Sequence, residues 1–303
     1  MIGESQSLNR YSIMDPITKR VALLSDTLCH GANQSAPEIR SPSIRGHLRW
    51  WHRTVIGPGD NTLFGSIAGS SGTASKVVVR VTRRNFSTRE VSILPHKQNG
   101  GGSGIAIARG EWFNLTLTTR LGGLTEAQTD NLHRTLDAWL LMGSLGQRAT
   151  RATGSVWPDD DSAPVTISAY LEQCRTILGS SQIGVAVLPT DENADPDKLR
   201  RISSDTIGGR QAGGRPPIAD LKSMGYPFGC YSPRIPSPLK LKVVYLDDRF
   251  HLVALWDRRD QPLEGRDRGM CRPDLRRGVT ALKDARKPLG KLLEPVLPEL
   301  LGR

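Results

Sequence analysis

Hydrophobic positions in the first half of the chain change their period from one segment to the next. Residues 17–28 have an apolar run at their centre, which predicts a buried strand. Residues 44–55 instead place apolar side chains on one face of a helix. That face consists of Ile44, Leu48, Trp51 and Val55. Pro42 suits the first turn of such a helix, and Ser41 or Ser43 can cap it. We therefore expect a strand followed by a helix with one packed face.

Three further segments continue the alternation of strands and helices. Residues 76–81 are rich in valine, and residues 111–119 alternate polar with apolar side chains, so both are predicted to be strands of one sheet. Residues 125–142 show the apolar spacing of a second helix. Thr125 and Gln128 have the spacing of a capping box at its start.

The second half of the chain is less regular. Residues 167–178 predict a short helix, and residues 239–245 and 250–256 alternate on either side of an Asp-Asp turn, which predicts a β-hairpin. Two glycine-rich stretches, 99–110 and 203–217, have no apolar period. We expect both to be flexible loops, and the second could order when RNA binds.

These elements together predict an α+β protein. The order strand, helix, strand, strand, helix is most of a ferredoxin-like βαββαβ unit, which is also the layout of RNA-recognition (RRM) domains. We expect a ferredoxin-like (RRM-like) domain over residues 1–158. A second, more divergent RRM-like or partial α+β domain would follow over residues 159–303, with the hairpin and a basic C-terminal segment.

The chain is strongly basic. Its 303 residues include 41 Lys and Arg against 30 Asp and Glu, a formal net charge of +11. Such a surplus favours a polyanionic partner such as nucleic acid, although it also serves solubility. No apolar run approaches the roughly 20 residues of a membrane span, and the N-terminus is too polar for a signal peptide. Four scattered cysteines contain no Cys-x-x-Cys pair. We expect a cytoplasmic protein with no membrane contact, no disulfide scaffold and no zinc ribbon.

The polar face of the helix at 44–55 carries a stripe of arginines. Arg45, Arg49 and Arg53 follow one another at a spacing of four residues. Like charges at this spacing repel by about 0.2–0.5 kcal/mol per pair, and the stripe has no acidic partner on its own helix. We interpret the stripe as a site for an anion, with a solvated basic face as the alternative. Trp50 belongs to neither stripe and is either packed at an interface or available to stack on a base.

The loop after the second predicted helix combines glycines with arginines. Residues 143–156 contain Gly143, Gly146 and Gly154, which let the backbone turn its N–H groups toward one point. Arg148 and Arg151 add guanidinium groups that suit phosphate oxygens. The loop therefore predicts a phosphate-binding segment, or else a structural turn. It lacks the G-x-x-x-x-G-K-[ST] pattern of a nucleotide-hydrolysing P-loop.

Two of these segments resemble a known family. Residues 30–53, HGANQSAPEIRSPSIRGHLRWWHR, followed by Leu-Phe-Gly-Ser at 63–66, resemble the N-terminal signature of the RAMP (repeat-associated mysterious protein) superfamily. Within that superfamily they look most like the first RAMP subunit of the type III-B CRISPR (Cmr) effector complex. Residues 143–156 are similar to the glycine-rich loop of the superfamily.

The resemblance implies a function and a set of residues. It implies a non-catalytic RNA-binding subunit of an RNA-guided antiviral complex, near the 3′ end of the guide RNA, in contact with guide or target RNA and with a neighbouring backbone RAMP subunit. It implies no cofactor and no metal. Carried over to this sequence, the RNA-binding positions are Arg40, Arg45, Arg49, Trp50 and Arg53 in the first motif, and Gly146, Arg148, Arg151, Gly154 and Ser155 in the loop.

An endoribonuclease that processes guide RNA or cuts target RNA is the alternative. A metal-independent ribonuclease needs a general base and a general acid, and His30 and His52 are candidates near the basic helix. Asp26 lies where backbone subunits of related complexes carry an acidic catalytic residue. The Asp-Asp-Asp run at 159–161 could hold a metal, but neighbouring carboxylates point in different directions, which favours a solvated turn. Motifs of serine hydrolases, zinc proteases and dinucleotide-binding enzymes are absent from the sequence.

Overall fold

The computed structural model describes residues 14–68, 71–83, 85–94, 102–120, 122–181, 183–204, 230–231, 234–235, 239–257, 275–284 and 286–300. Elements of the first half are, in chain order, β1 (Ile17–Leu23), α1 (Ser41–Val55), α2 (Asp60–Phe64), β2 (Ser66–Ala68), β3 (Ser71–Thr73), β4 (Val77–Thr82), β5 (Thr88–Ser92), β6 (Ser103–Ile107), β7 (Trp112–Thr119), α3 (Glu126–Met142) and β8 (Val156–Pro158). Those of the second half are α4 (Ile167–Leu178), β9 (Ile183–Val187), α5 (Pro196–Ser204), β10 (Cys230–Tyr231), β11 (Arg234–Ile235), β12 (Leu239–Leu246), β13 (Arg249–Asp257), α6 (Leu275–Asp284), α7 (Pro288–Leu293) and α8 (Leu297–Leu300).

The first half forms a four-stranded antiparallel sheet in the order β4-β7-β1-β8. Counted along the βαββαβ path, with α1 and α3 as its helices, this order is second, third, first, fourth. Val21 lies opposite Phe113 in the register of the two central strands, and both side chains are fully buried against the helices. The α+β class is therefore confirmed, and the strand order matches the ferredoxin-like layout.

Both predicted helices of the first half are present, and they begin in different ways. Thr125 and Gln128 form the predicted capping box of α3, each side chain bonding the other residue's backbone N–H. Helix α1 has Pro42 in its first turn as predicted, but the residue at its N-cap is Arg40, which makes no side-chain capping bond. The predicted serine cap is therefore wrong, because the helix already includes Ser41.

The predicted flexible loop at 99–110 is wrong for the residues that the structure describes. Ser103–Ile107 forms β6, which pairs with β5 in an antiparallel hairpin. Backbone bonds between Thr27 and Ile107 tie this hairpin to the chain just after β1. Gly104 lies within the strand opposite Val91, whereas Gly102 precedes the strand with φ +72°. Residues 95–101 lie outside the described part.

A three-stranded antiparallel sheet, β12-β13-β9, organises the second half. The predicted hairpin is confirmed as β12 and β13, and the predicted helix at 167–178 is α4. The glycine- and arginine-rich loop at 203–217 lies outside the described residues except for its first two. The basic segment from 266 is described only from residue 275. No described helix has both the length and the apolar content to cross a membrane.

The two sheets share a hydrophobic core. One face of the second sheet contributes to the same cluster as α3 and the first sheet, and its members there are Val244, Leu246, Val253 and Leu255. The opposite face packs against α6 and α7 in a second cluster, with Leu241 and Leu252 from the sheet and Leu282, Leu289 and Leu293 from the helices. The domain boundary predicted after residue 158 coincides with the end of β8, and it stays a prediction.

Candidate functional site

A cleft of about 620 Å³ lies where α1, the loop after α3 and strand β12 meet. We call it the central cleft. Its polar and aromatic lining consists of His30, Gln34, Ser43, His47, Trp50, Trp51, Ser144, Gln147, Thr150, Lys240 and Lys242. None of the described residues that line the cleft is acidic. A concave cavity with apolar walls and a few convergent polar groups is the usual form of a ligand site.

The glycine-rich loop, residues 143–156, reaches the cleft because it is bonded to the segment that follows β1. Gln147 N donates to Leu28 O at 2.7 Å, and Gly154 N donates to Asp26 O at 2.9 Å. Gly146 has φ +86°, and a Cβ there would come within 2.5 Å of Leu28 O. Only glycine permits this approach. The loop therefore lies beside the start of the 30–53 motif, which begins two residues after Leu28.

Part of the glycine-rich loop is buried. Gly154 has φ +66°, and a Cβ there would overlap the carbonyl oxygen of Leu145. Ser155 is fully buried, and its hydroxyl accepts a hydrogen bond from Val243 N at 2.9 Å. Both residues use their polar groups inside the protein. They shape the loop and join it to β12, and we do not include them in the surface that contacts a ligand.

The outer part of the loop is accessible. Arg148 is exposed, and its backbone has φ +58°, a left-handed conformation that non-glycine residues seldom adopt. Such conformations cost of order 1–3 kcal/mol and cluster at functional sites. Arg151 is half-buried, and its backbone N–H donates to Arg148 O at 2.8 Å. The loop thus holds one exposed guanidinium at its tip.

The arginine stripe of α1 does have an acidic partner, so the inference from its absence is wrong for two of the three residues. Asp60, at the start of α2, accepts from Arg49 Nε at 2.9 Å and from Arg53 Nε at 2.7 Å. Its carboxylate is almost fully buried. Burial alone would raise the pKa of Asp60, but the hydrogen bonds and charges of Arg53 and Arg49 outweigh that effect and hold the pKa below its ordinary value. Arg45 is exposed and has no ion pair within the described ranges.

Arg40 and Trp50 are the remaining predicted positions of the first motif. Arg40 is the N-cap residue of α1, and Trp50 lies within the helix. Arg40 is exposed, with its Nε 3.5 Å from Glu38 Oε1. Trp50 is half-buried and lines the central cleft. Lys240 Nζ lies 3.0 Å from the centroid of the Trp50 ring, and the Trp51 ring stands perpendicular to it at 4.8 Å. Trp50 therefore packs at the contact between the two halves and also forms a wall of the cleft.

Two histidines of the cleft were not among the predicted binding residues. Burial, and then the charge of Lys240, lower the pKa of His47 to about 4, so its imidazole is neutral at pH 7. His30 has both ring nitrogens buried without a hydrogen-bond partner among the described residues. Both lie within the 30–53 motif, so the motif could have pointed to them, but its arginines drew the prediction instead.

Lys242 shows how burial removes a cation from the surface. Its side chain is buried, and its Nζ donates to Leu140 O at 2.7 Å at the end of α3. Burial pushes the pKa of this amine well below its ordinary value. Trp157 lies beside it, with its ring centroid 5.5 Å from Nζ. Lys240 is therefore the cleft lysine whose charge is placed to meet a ligand.

Asp26, the acidic nuclease candidate, is part of an internal ion network. Its carboxylate is fully buried and accepts from both Arg89 Nε, at 2.7 Å, and Arg89 Nη2. The backbone N–H of Arg109 adds a third bond at 3.2 Å. Arg89 also binds Asp197 of α5 at 2.7 Å. The pKa of Asp197 would rise through burial, but Arg89 holds it below its ordinary value. Asp26 therefore connects β1, β5 and α5, and its oxygens face no solvent.

Of the other catalytic and metal candidates, His52 is buried and the acidic run is ion-paired, whereas His30 lines the cleft with no partner for its ring nitrogens among the described residues. His52 is buried on α1, and burial lowers the pKa of its imidazole. In the acidic run, Asp159 pairs with Arg20 at 2.6 Å and Asp160 pairs with Lys19 at 3.0 Å. No group of three or more potential metal ligands occurs in the part of the chain that the structure describes.

Comparison with known proteins shows which family model and which relative this chain is similar to. The model of the RAMP superfamily matches residues 20–157. The CRISPR system Cmr subunit Cmr1-1 of Pyrococcus furiosus is 28% identical over 159 residues, which are 45% of this chain and 45% of the relative. The alignment thus spans less than half of that relative.

One solved structure has a similar fold over most of the chain, and a second has a lower similarity score. The crystal structure of Cmr1 from Pyrococcus furiosus, in its apo form, matches 84% of this chain and 92% of its own with a TM-score of 0.51 and 17% identity. A chain in the cryo-EM structure of the type III-B Cmr-beta complex bound to cognate target RNA and AMPPnP has a TM-score of 0.49 and 12% identity, covering 91% of this chain and 99% of that one. The resemblance inferred from the motifs at 30–53 and 143–156 is therefore confirmed to the extent that residues 20–157 match the RAMP superfamily model, and the fold is similar to that of Cmr1.

Proposed function

We propose that this protein is a non-catalytic RNA-binding subunit of a cytoplasmic type III-B CRISPR effector. In this role it lies near the 3′ end of the guide RNA, contacts guide or target RNA, and binds a neighbouring backbone RAMP subunit. The RAMP match and the similarity to a Cmr subunit support membership of such a complex. The net charge of +11 supports a polyanionic partner.

One observation carries the proposal. The two motifs that carry the resemblance, far apart in sequence, both contribute to the lining of one cleft, and none of its described lining residues is acidic. Arg148 on the loop and Arg45 on α1 are exposed and adjoin the lining residues Gln147 and Gly46 in the chain, and Lys240 lines the cleft itself. Cations around a concave surface are the arrangement that follows a sugar-phosphate strand.

The state of Asp26 and His52, two of the three nuclease candidates, supports a non-catalytic role. A general base must reach the proton that it removes, within about 3 Å or through one water. Asp26 is fully buried, and its oxygens are bonded to Arg89. His52, on α1, is also buried. Neither group is placed to approach a 2′-hydroxyl of a bound strand.

Salt-dependent RNA binding tests the proposal directly. The double variant Arg148→Ala and Arg151→Ala removes two cations from the loop, so we expect filter binding to show at least tenfold weaker binding of single-stranded RNA. The slope of log affinity against log salt should flatten by about 1.4, since each lost contact to single-stranded RNA removes about 0.7. Arg120 and Arg175 are exposed and lie outside the cleft, so their double alanine variant is the matched control.

An unchanged slope in the loop variant, or an equal change in the control, would contradict this assignment of the RNA-binding surface. Membership of the complex has its own test. Copurification with the proteins encoded by neighbouring genes should bring down a small repeat-derived RNA. Incubation of labelled guide precursor and target RNA with the purified protein, with and without Mg²⁺, should show no cleavage. Specific cleavage that disappears in an Asp26, His30 or His52 variant would favour the ribonuclease instead.

A further inference from the structure

The interior of the central cleft differs from its rim in charge. Among the lining residues, His47 is neutral and the buried Lys242 amine is bonded to Leu140 O. Gln34 and Gln147 are exposed, uncharged amides. A phosphate group needs several cations or N–H donors that converge on it. Lys240 carries a placed positive charge in the described lining, and the exposed Arg148 and Arg45, which adjoin the lining residues Gln147 and Gly46 in the chain, form the rim. The rim therefore suits phosphate, and the interior suits a planar uncharged group.

The polar groups of the interior match the edge of such a ligand. A neutral imidazole has one donor and one acceptor, as His47 does at pH 7. The His30 ring also lines the cleft, and its two nitrogens have no hydrogen-bond partner in the described chain. A buried donor or acceptor without a partner costs about 1–3 kcal/mol, so an orphaned imidazole calls for an explanation. Donors and acceptors on a nucleobase edge would supply the missing bonds.

Trp50 is the aromatic surface on which a base could stack, and at present Lys240 covers it. The Lys240 ammonium lies 3.0 Å from the ring centroid, which is a cation–π contact. Such a contact is worth about 0.5–2 kcal/mol, whereas stacking of a base on an aromatic side chain is worth about 1–3 kcal/mol. A lysine displaced by a base keeps its charge and can pair with the adjacent phosphate. The range for stacking lies higher than the range for the cation–π contact, so stacking of a base can replace that contact.

We infer that the central cleft receives one unstacked nucleobase of the bound RNA, which stacks on Trp50 in the place that Lys240 occupies in the free protein. The inference rests on the proposed function and names what the interior of the cleft binds. It divides the surface into a base pocket, formed by His30, His47 and Trp50, and a rim of cations that holds the backbone.

A thermodynamic cycle between the protein and the RNA tests this inference. The full chain is titrated with a short single-stranded RNA and with an abasic ribose-phosphate strand of the same length and charge. For the wild type we expect the abasic strand to bind 5- to 30-fold more weakly. Trp50→Ala should weaken binding of the intact RNA, because the base loses the ring on which it stacks. Binding of the abasic strand should be unchanged, because that strand has no base to stack on Trp50. The coupling between the two changes is the measured quantity.

Trp112 provides the matched control. Like Trp50 it is half-buried and carries cations on its ring, Arg20 at 4.0 Å and Arg83 at 4.5 Å, but it lies on the first sheet outside the cleft. Trp112→Ala should leave the ratio between intact and abasic RNA unchanged. Lys240→Met serves if Trp50→Ala does not fold. It should keep the preference for intact RNA while it flattens the salt slope by about 0.7.

The outcomes separate the two proposals. If the wild type binds RNA but treats intact and abasic strands alike, the base pocket is wrong and the proposed function stands. The same conclusion follows if Trp50→Ala weakens both strands equally, or if Lys240→Met loses the preference for intact RNA. If the wild type binds neither strand, the proposed function itself fails.

Discussion

Two neighbouring surfaces of α1 carry polar groups in opposite states. On one surface Arg49 and Arg53 donate to the buried carboxylate of Asp60. On the other, His47 and Trp50 face a cleft whose described lining contains no carboxylate. The first surface has more charge in the sequence, but its charge is already paired. The groups that a surface has available for a ligand are those that remain after pairing within the protein. The less basic side of α1 therefore has more groups available for a ligand than the side with more arginines.

The Asp26 cluster belongs with the paired surface and should show the largest effect. Asp26→Asn removes the charge that faces Arg89 in a fully buried position, and breaking a buried pair leaves one charge uncompensated. Arg89 keeps Asp197 as a partner and is partly exposed, so we expect a loss of about 3 kcal/mol rather than more. Urea denaturation measures it, with exposed Asp161→Asn as the control. RNA affinity under native conditions should be unchanged. Unchanged stability would show that the network does not connect the halves.

The Asp60 cluster should show the next largest effect, with a defined pH dependence. Asp60→Asn weakens the bonds to Arg49 and Arg53, at a cost of about 1–2 kcal/mol at pH 7. The folded pKa of Asp60 lies below its ordinary value of 3.8, so its ionised form stabilises the fold above that pH. This stabilisation is lost as the pH falls through the folded pKa. The difference in free energy of unfolding between wild type and variant should therefore shrink toward zero in acid.

RNA binding by the same variant, Asp60→Asn, tests whether pairing with Asp60 limits the charge that α1 has available for RNA. Freeing Arg49 and Arg53 from their carboxylate adds available cations to α1. We expect the salt slope of RNA binding to steepen in Asp60→Asn. A slope that stays the same would mean that the pairing with Asp60 does not limit what α1 can bind.

Features set within a few residues could be predicted from the sequence. The capping box of Thr125 and Gln128, the apolar stripe of α1 and the hairpin of β12 and β13 depend on neighbours along the chain, and all are present. The two RAMP-like segments also lie at one cleft, to which they contribute Trp50 and Gly146 among the predicted positions, and the RNA-binding role of those positions stays a prediction.

The unpredicted features depend on partners that come from elsewhere in the fold. Asp60 reaches α1 from the next helix, so the spacing rule within α1 could not include it. Lys240 reaches Trp50 from the second half of the chain. The hairpin of β5 and β6 forms in a glycine-rich stretch because Thr27 and Ile107 anchor it. Sequence patterns locate cations and glycines, but the fold decides which cations stay free.

The glycine-rich loop also contains one polar residue that is bonded inside the protein and one that is available to a ligand. Ser155 is buried, and Arg148 is exposed. Ser155→Ala removes the acceptor for Val243 N in a fully buried position, and we expect a loss of about 1 kcal/mol in the free energy of unfolding. RNA affinity should stay within twofold. Exposed Ser168→Ala on α4 is the control and should be neutral or slightly stabilising. A selective loss of RNA binding in Ser155→Ala would place this hydroxyl in the interface and contradict the division.

The smallest effect is also the most direct comparison, because it concerns two arginines of one helix. Arg45 is exposed and has no ion pair among the described residues, whereas Arg53 pairs with Asp60. Arg45→Ala should weaken RNA binding about threefold, which is about 0.65 kcal/mol, and flatten the salt slope by about 0.7. Arg53→Ala should change both quantities by less than half as much. Equal losses in the two variants would mean that RNA displaces Asp60 from Arg53 on binding. Arg53 would then pair with Asp60 in the free protein and with RNA in the complex.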